Sequence, residues 1–189
     1  HRVVGVEPVG ELVVARREVR GGGVWARSGD GREIAVEPAA VTGEAGDVVL
    51  ASNGYAYYFP PADGGPLYSV QISTGTVTPA SSGSGRQGRL QAPGSYIYAS
   101  SSYYLSKFDI RQGAAQSASL SNSNYLGSCS GFWLNEDGAR LFNSCGQVYR
   151  TSEVPQQDLI SNGTFSATSN RLIQAGAHSS TRASTALLL

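Results

Sequence analysis

The sequence has no methionine, two cysteines and two histidines, and charged residues make up only 15% of its 189 positions. About a quarter is usual for a globular domain. Fourteen Lys and Arg balance fourteen Asp and Glu. With no basic excess, neither nucleic acid nor an anionic membrane surface is expected as a partner. No apolar run approaches the roughly 20 residues of a membrane helix, and the closing Ala186-Leu187-Leu188-Leu189 is far too short, so no membrane span is expected. Two cysteines without a nearby histidine make no zinc set. The scattered Asp47, Asp63, Asp109, Glu136 and Asp137 make no calcium loop. Metal: none, and cofactors: none, are the resulting expectations. No signal peptide is visible, and with His1 first the chain is expected to be a processed product, an excised domain or a fragment.

What is present in place of charge is Ser, Thr, Asn, Gly and Tyr, a composition that favours strands and turns over helices. The strongest local signal is Gly131 to Ser144, GFWLNEDGARLFNS, held between Cys129 and Cys145. Two apolar runs flank Glu136-Asp137-Gly138, and Asp-Gly between apolar runs marks a hairpin because Gly accepts positive φ.

Residues 1–47 carry half of the chain's charged side chains and read as a β segment of separate character. Glu11 to Val19 reads as a strand. Val24 to Arg27 and Arg32 to Val36 flank a second hairpin signal, Ser28-Gly29-Asp30-Gly31. Residues 1–45 are therefore expected to form a partial first repeat or the tail of a preceding domain. From Gly46 the pattern is regular. Asp47 to Leu50, Tyr55 to Phe59, Leu67 to Ile72 and Thr76 to Thr78 read as four strands separated by Ser52-Asn53-Gly54, Pro60 to Gly65 and Ser73-Thr74-Gly75. The same order recurs through Arg89–Gln91, Tyr96–Tyr98, Leu105–Ile110 and Ala114–Leu120. It recurs again through Gly131–Leu134, Ala139–Phe142, Gln147–Thr151 and Leu159–Phe165. The openers of the second strands, Tyr55, Tyr96 and Ala139, stand 41 and 43 residues apart.

Four short strands repeating every 40–45 residues or so is the signature of propeller blades. The expected fold is all-β, a β-propeller or partial propeller of four-stranded antiparallel blades. Residues 46–189 divide into blades of about 46–83, 84–122 and 123–166 and a partial unit, 167–189. In the third unit Trp133 and Leu141 are expected on one face and Phe132, Leu134 and Phe142 on the other, so that both faces are covered, as when blades sandwich one another. The alternative is a two-sheet sandwich with coincidental spacing. An unclosed array would leave apolar blade faces exposed and favour self-association.

GFWLNEDGARLF resembles the inner-strand and turn motif of bacterial YVTN-type and WD-like propellers, and LYSVQISTGTV resembles the strand that follows, with its Asp-x-x-Thr-Gly style ending. The chain departs from that pattern in Gln71, where such repeats often carry Asp; the second unit has Asp109. The resemblance covers roughly Gly46 to Phe165 and implies a fold without implying any catalytic residue. The stretch from Cys129 to Gly138, with Cys145-Gly146, also resembles large secreted or lipoprotein-type propellers of soil bacteria, mostly without an assigned function.

Several side chains are candidates for chemistry. If the hairpin loop is Glu136-Asp137-Gly138, Asn135 faces Ala139 and, counting outward, Cys129 faces Cys145, within disulfide range. That count gives a hydrogen-bonded pair, a less comfortable site for a bridge, and two buried thiols remain the alternative. A disulfide implies an oxidising compartment: secreted, periplasmic or cell surface. Gly127-Ser128-Cys129-Ser130-Gly131 superficially fits a nucleophile elbow, but a strand follows it where a helix is required and no base stands at recognisable spacing. His178 falls where the next inner strand should begin, and could face the channel or be structural. Tyr96, Tyr98, Tyr103, Tyr104 and Tyr125, in a Ser/Asn-rich stretch, suit recognition of sugars or peptides, while Tyr is also a favoured strand residue that packs between blades. Asn162-Gly163-Thr164 fits a glycosylation acceptor, though Asn-Gly in a turn needs no such explanation. No catalytic set emerges. The expected function is extracytoplasmic binding or scaffolding, with a protein, peptide or glycan as ligand. The alternatives are a fragment of a propeller enzyme of lactonase, lyase or quinoprotein type, and a structural spacer in a surface protein.

Overall fold

The computed structural model describes residues 46–165, apart from 62–64, 81–84, 93, 121–125, 127, 128 and 130. Outside that span it describes only the backbone of five strands: β1 (Val14–Arg16), β2 (Val24–Arg27), β3 (Glu33–Val36), β16 (Ala175–Ser179) and β17 (Ser184–Leu188).

Three four-stranded antiparallel sheets follow one another along the chain. The first holds β4 (Asp47–Leu50), β5 (Tyr55–Phe59), β6 (Tyr68–Gln71) and β7 (Val77–Pro79). The second holds β8 (Gln87–Gln91), β9 (Tyr96–Ser100), β10 (Leu105–Asp109) and β11 (Gln116–Ala118). The third holds β12 (Phe132–Leu134), β13 (Arg140–Asn143), β14 (Gln147–Arg150) and β15 (Ile160–Thr164). In each, strands pair in sequence order. The opening strands lie side by side, β4 next to β8, β8 next to β12 and β12 next to β16.

Strands buried on both faces explain the tyrosine-rich runs. In β9 every residue of Tyr-Ile-Tyr-Ala-Ser is buried, because successive side chains point to opposite faces and both faces are covered. Ile97 and Ala99 join Val49, Tyr57, Phe59 and Leu67 of the first sheet, with Phe108 and Ile110, in one core. Tyr98 on the opposite face packs with Leu105, Phe132, Leu141 and Leu159 in a second core shared with the third sheet. Phe59, Phe108 and Phe132 are fully buried, each worth about 1.5–3 kcal/mol in apolar transfer.

Polar bonds run through the same interfaces. Tyr57 donates from its hydroxyl to the Gly113 carbonyl at 2.5 Å, and Asn53 Nδ2 donates to the Ile110 carbonyl at 2.9 Å. The Ala115 N–H donates to Ser69 Oγ at 2.8 Å. At Gly88, on β8, an added Cβ would lie 2.3 Å from the Phe59 ring, so β8 approaches the first sheet as closely as it does only because no side chain intervenes.

The third hairpin corrects the expected register. Leu134 pairs with Leu141, Trp133 with Phe142 and Phe132 with Asn143. Asn135 therefore faces Arg140, not Ala139, and the connection is one residue longer than expected. The Asn135 side chain accepts from the Arg140 N–H at 2.7 Å, and Asp137 Oδ1 accepts from the Ala139 N–H at 2.9 Å; both hold the longer loop. Gly138 keeps the left-handed conformation, φ +68. Faces shift with the register: Phe132, Leu134 and Leu141 share one, and Trp133 and Phe142 share the other. Both are covered, the second by Phe165, whose ring centroid lies 5.5 Å from that of Phe142. Asn162-Gly163 is not a turn either. It lies within β15, where the register against β14 shifts between Gln147 and Tyr149, and Gly163 has φ +110.

Candidate functional site: the loop end of the inner strands

The two ends of the sheets differ. At one end short turns join the first strand of each sheet to the second, around Gly54, Gly94 and Gly138. At the other end lie the starts of β4, β8 and β12 and the connections β5–β6, β9–β10 and β13–β14. A cleft of about 440 Å³ opens at this second end, lined by Gly46, Pro61, Arg86, Gln87, Ser100, Ser101 and Gly131. Its lining comes from all three sheets: a strand start and a connection from each of the first two, and the start of β12 from the third.

The walls are held by backbone and side-chain bonds. The Arg86 N–H donates to the Ser100 carbonyl at 2.7 Å, and the Ser144 N–H donates to the Gly131 carbonyl at 2.7 Å. Arg86 Nη2 donates to Ser102 Oγ at 2.9 Å. The β9–β10 connection is a tight loop, with the Ser101 N–H donating to the Tyr104 carbonyl at 2.9 Å. Three residues on from Arg86, the first strands of the first two sheets carry an ion pair. Asp47 Oδ2 on β4 accepts from Arg89 Nη1 on β8 at 2.9 Å and from the Gly88 N–H at 3.1 Å. Arg89 in turn lies over the Phe132 ring of β12, 5.9 Å from its centroid. The sequence signals single out neither Arg86, Arg89 nor Asp47, because each is an isolated charge in an otherwise apolar or polar strand.

Cys129 and Cys145 form a disulfide with Cα atoms 5.4 Å apart. The disulfide is as expected, but the two cysteines are not directly opposed strand residues, since the β12–β13 pairing ends at Phe132 and Asn143. Neither cysteine lies in the paired strands; the bridge ties the segment before β12 to the turn after β13, at the cleft end. The Cys129 N–H donates to the Leu126 carbonyl at 3.1 Å, and the Leu126 N–H donates to the Tyr103 carbonyl at 2.6 Å. The bridge is thus continuous with the β9–β10 loop.

The tyrosines separate into two groups. Tyr103 and Tyr104 are 54% and 52% exposed on that loop. Tyr96 and Tyr98 are buried and present no face to a ligand, which corrects their assignment to a surface: β9 is covered on both sides. Tyr98 donates to Asp158 Oδ1 at 2.6 Å. Burial and this contact push its phenol far above its ordinary range. Lys107 Nζ completes the network, donating to Asp158 Oδ2 at 2.9 Å and to the Ser152 carbonyl at 2.6 Å, 4.2 Å from the Tyr96 ring centroid. Lys107 and Asp158 side chains are 3% and 0% exposed. Sealed from solvent, they join the second and third sheets and are not a substrate site. Tyr125 lies outside the described residues. His178 is described by backbone alone; it pairs with Thr185, next to the β16–β17 turn. By strand order that corresponds to the Gly54, Gly94 and Gly138 end, so His178 is not gathered with Tyr103 and Tyr104. Among the described residues no three His, Cys, Asp or Glu side chains come together, and no helix is long and apolar enough to cross a membrane.

No protein-family model and no curated protein sequence matches the chain. Solved structures do. Virginiamycin B lyase from Staphylococcus aureus is similar over 98% of this chain and 61% of its own, with a TM-score of 0.61 at 11% identity. These neighbours are β-propeller proteins. The chain has a β-propeller fold. Two further propellers are similar at TM-score 0.54. One is a candidate 6-phosphogluconolactonase from Bacteroides uniformis, at 17% identity over 79% of this chain and 50% of that one. The other is the extracellular domain of a candidate one-component system from B. thetaiotaomicron, at 9% identity over 98% of this chain and 26% of that one. The chain thus spans between about a quarter and three-fifths of the length of these structures. At such identities the likeness is one of fold, and the three sheets are blades whose first strands are innermost.

Proposed function

We propose that this chain is an extracytoplasmic binding or scaffold part of a β-propeller, of the bacterial YVTN- or WD-like type, and that it recognises a protein, peptide or glycan at the loop end of its blades. The observation that carries this reading is the placement of the exposed Tyr103–Tyr104 pair beside a cleft to which all three blades contribute. Aromatic rings with polar tips are economical contact groups because little rotamer freedom is lost when they bind. The Cys129–Cys145 bridge supports an oxidising compartment, secreted, periplasmic or cell surface. One of the similar folds is named as an extracellular domain, which agrees with it.

The test is a panel of glycans and peptides screened against the chain and its Tyr103→Ala/Tyr104→Ala variant. Both rings are half exposed, so the variant should retain its circular dichroism while losing at least tenfold in affinity for any ligand found. Ligands that bind both forms equally would sink the reading. A second reading, part of a propeller enzyme whose site draws on several blades, is favoured by Asp47, Arg86 and Arg89 at neighbouring inner strands. It agrees with a similar fold named as a lyase. It requires turnover of a ligand that the Arg86→Gln variant binds without converting.

A further inference from the structure

The sequence holds Ser-Asn-Gly twice, as Ser52-Asn53-Gly54 and as Ser161-Asn162-Gly163. Asparagine before glycine carries a latent reaction, because a residue without Cβ leaves its backbone nitrogen open to the preceding side chain. That nitrogen attacks Cγ of the asparagine and closes a succinimide ring. The bond from Cγ to Nδ2 breaks, and ammonia leaves with the proton of the glycine amide. Water then opens the ring at either carbonyl. Opening at Cγ leaves aspartate. Opening at the backbone carbonyl leaves isoaspartate, whose main chain runs through Cβ and Cγ. The sum is asparagine and water giving aspartate or isoaspartate and ammonia, with nothing oxidised or reduced.

With the tripeptide identical, the fold decides between the two sites. Both asparagines are exposed, and both glycines have positive φ, +82 at Gly54 and +110 at Gly163. The difference lies in how the reacting groups are held. Asn53 is tied through both side-chain atoms: Nδ2 donates to the Tyr57 hydroxyl at 2.7 Å and to the Ile110 carbonyl at 2.9 Å, and Oδ1 accepts from the Tyr55 N–H at 3.2 Å. The Gly54 carbonyl accepts from the Ile72 N–H at 3.0 Å. Cγ reaches the Gly54 nitrogen only after such bonds open, so the cost of that local opening slows the reaction. Asn162 lies on β15, the last strand of the third sheet, which is exposed at all five positions. There Asn162 and Gly163 stand against a single residue, Val148, in a bulge that interrupts the ladder. Backbone of this kind opens locally at the low end of the free-energy range.

We propose that Asn162 is a site of spontaneous deamidation, with water as the co-reactant, and that the fold protects the identical tripeptide at Asn53. The product adds one negative charge to a chain of zero formal net charge. Its isoaspartate form also lengthens the backbone by one methylene just ahead of Phe165. Phe165 closes the sheet through its N–H, which donates to the Gly146 carbonyl at 2.7 Å, and through its ring against Phe142. Conversion therefore loosens the cover over Phe142.

The experiment incubates the full chain in mildly alkaline buffer and follows each site by peptide mass spectrometry, where conversion adds about one mass unit. In the folded chain Asn162 converts roughly tenfold or more faster than Asn53, and in concentrated urea the two rates converge. Asn162→Gln blocks conversion at its own site, since the longer side chain closes a ring far more slowly. Tyr57→Phe removes one tie and speeds Asn53 while leaving Asn162 unchanged; circular dichroism verifies folding of each variant. The isoaspartate form, separated by ion exchange, melts below the unconverted chain. Equal rates at the two sites of the folded chain, or an Asn162 that converts only in urea, overturn the proposal. Rates that stay apart in urea, or an Asn53 unmoved by Tyr57→Phe, overturn the fold as the source of protection.

Discussion

Asp158 accepts hydrogen bonds from Tyr98, from Lys107 and from the Ser152 N–H, all inside the protein. Removing one partner of a buried ion pair strands the other charge, at a cost of about 3–5 kcal/mol. Lys107→Ala should therefore lower the unfolding free energy read from urea titration by an amount of that order. Replacing Lys107 and Asp158 together by apolar residues of similar volume should cost much less, which a double-mutant cycle would read directly. Tyr57 makes a pH prediction. Burial pushes its phenol up from 10.0 to about 12, against a smaller opposing effect of the Asn53 hydrogen bond. The folded chain then keeps a proton that the unfolded chain releases, so stability is full below pH 10 and falls as pH rises towards 12. At ~1.4 kcal/mol per pH unit the fall is of order 2–3 kcal/mol. Denaturant titrations of wild type and Tyr57→Phe should converge at high pH; a parallel decline in both would show that Tyr57 is not the source.

The strand and hairpin level shows which local signals reported the fold and which did not. Turn chemistry was legible: Gly75, Gly113 and Gly138 stand with positive φ at the turns where their neighbours placed them. Four strands per unit and their spacing were legible too, since both follow from short-range composition. Register at Asp137-Gly138 was not, because a loop of three and a loop of four residues are equally compatible with the sequence, and the choice rests on side-chain bonds from Asn135 and Asp137. In the sequence Tyr96 and Tyr98 are indistinguishable from surface tyrosines for a related reason. A strand covered on both faces lacks the apolar–polar alternation that separates inside from outside. Lys107 in the middle of β10 resembles a solvated position until Asp158, 51 residues on, covers it. Loop ties are testable at this scale. With its cysteines 16 positions apart in sequence, the bridge should be worth roughly 3 kcal/mol in the chain-entropy model. Cys129→Ser/Cys145→Ser should show that loss on thermal melting, and reductant should no longer affect the variant.

Residues 46–165 form a row of sheets in which the second blade shares a core with each of its neighbours. The second blade puts Ile97 into one core and Tyr98 into the next, so neither core can melt without exposing a face of that blade. The blades of residues 46–165 should therefore unfold together. Near- and far-ultraviolet circular dichroism should give coincident transitions, where independent blades would give separate ones. Gly88→Ala tests the same coupling from a single site. The added methyl meets the Phe59 ring, and overpacking of this kind costs about 1–3 kcal/mol. The variant should shift the one transition as a whole, not split it.

Gly88 also bears on shape. Where β8 meets the first blade there is no side chain between backbone and ring, while the body of the same interface is filled by Tyr57, Leu67, Phe108 and Ile110. Two sheets that touch closely at the axis and are held apart further out form a wedge, and successive wedges bend a row of blades into an arc. The thickness of one residue on the innermost strand thus helps to set the radius of that arc, and with it how many blades a ring of this kind can hold.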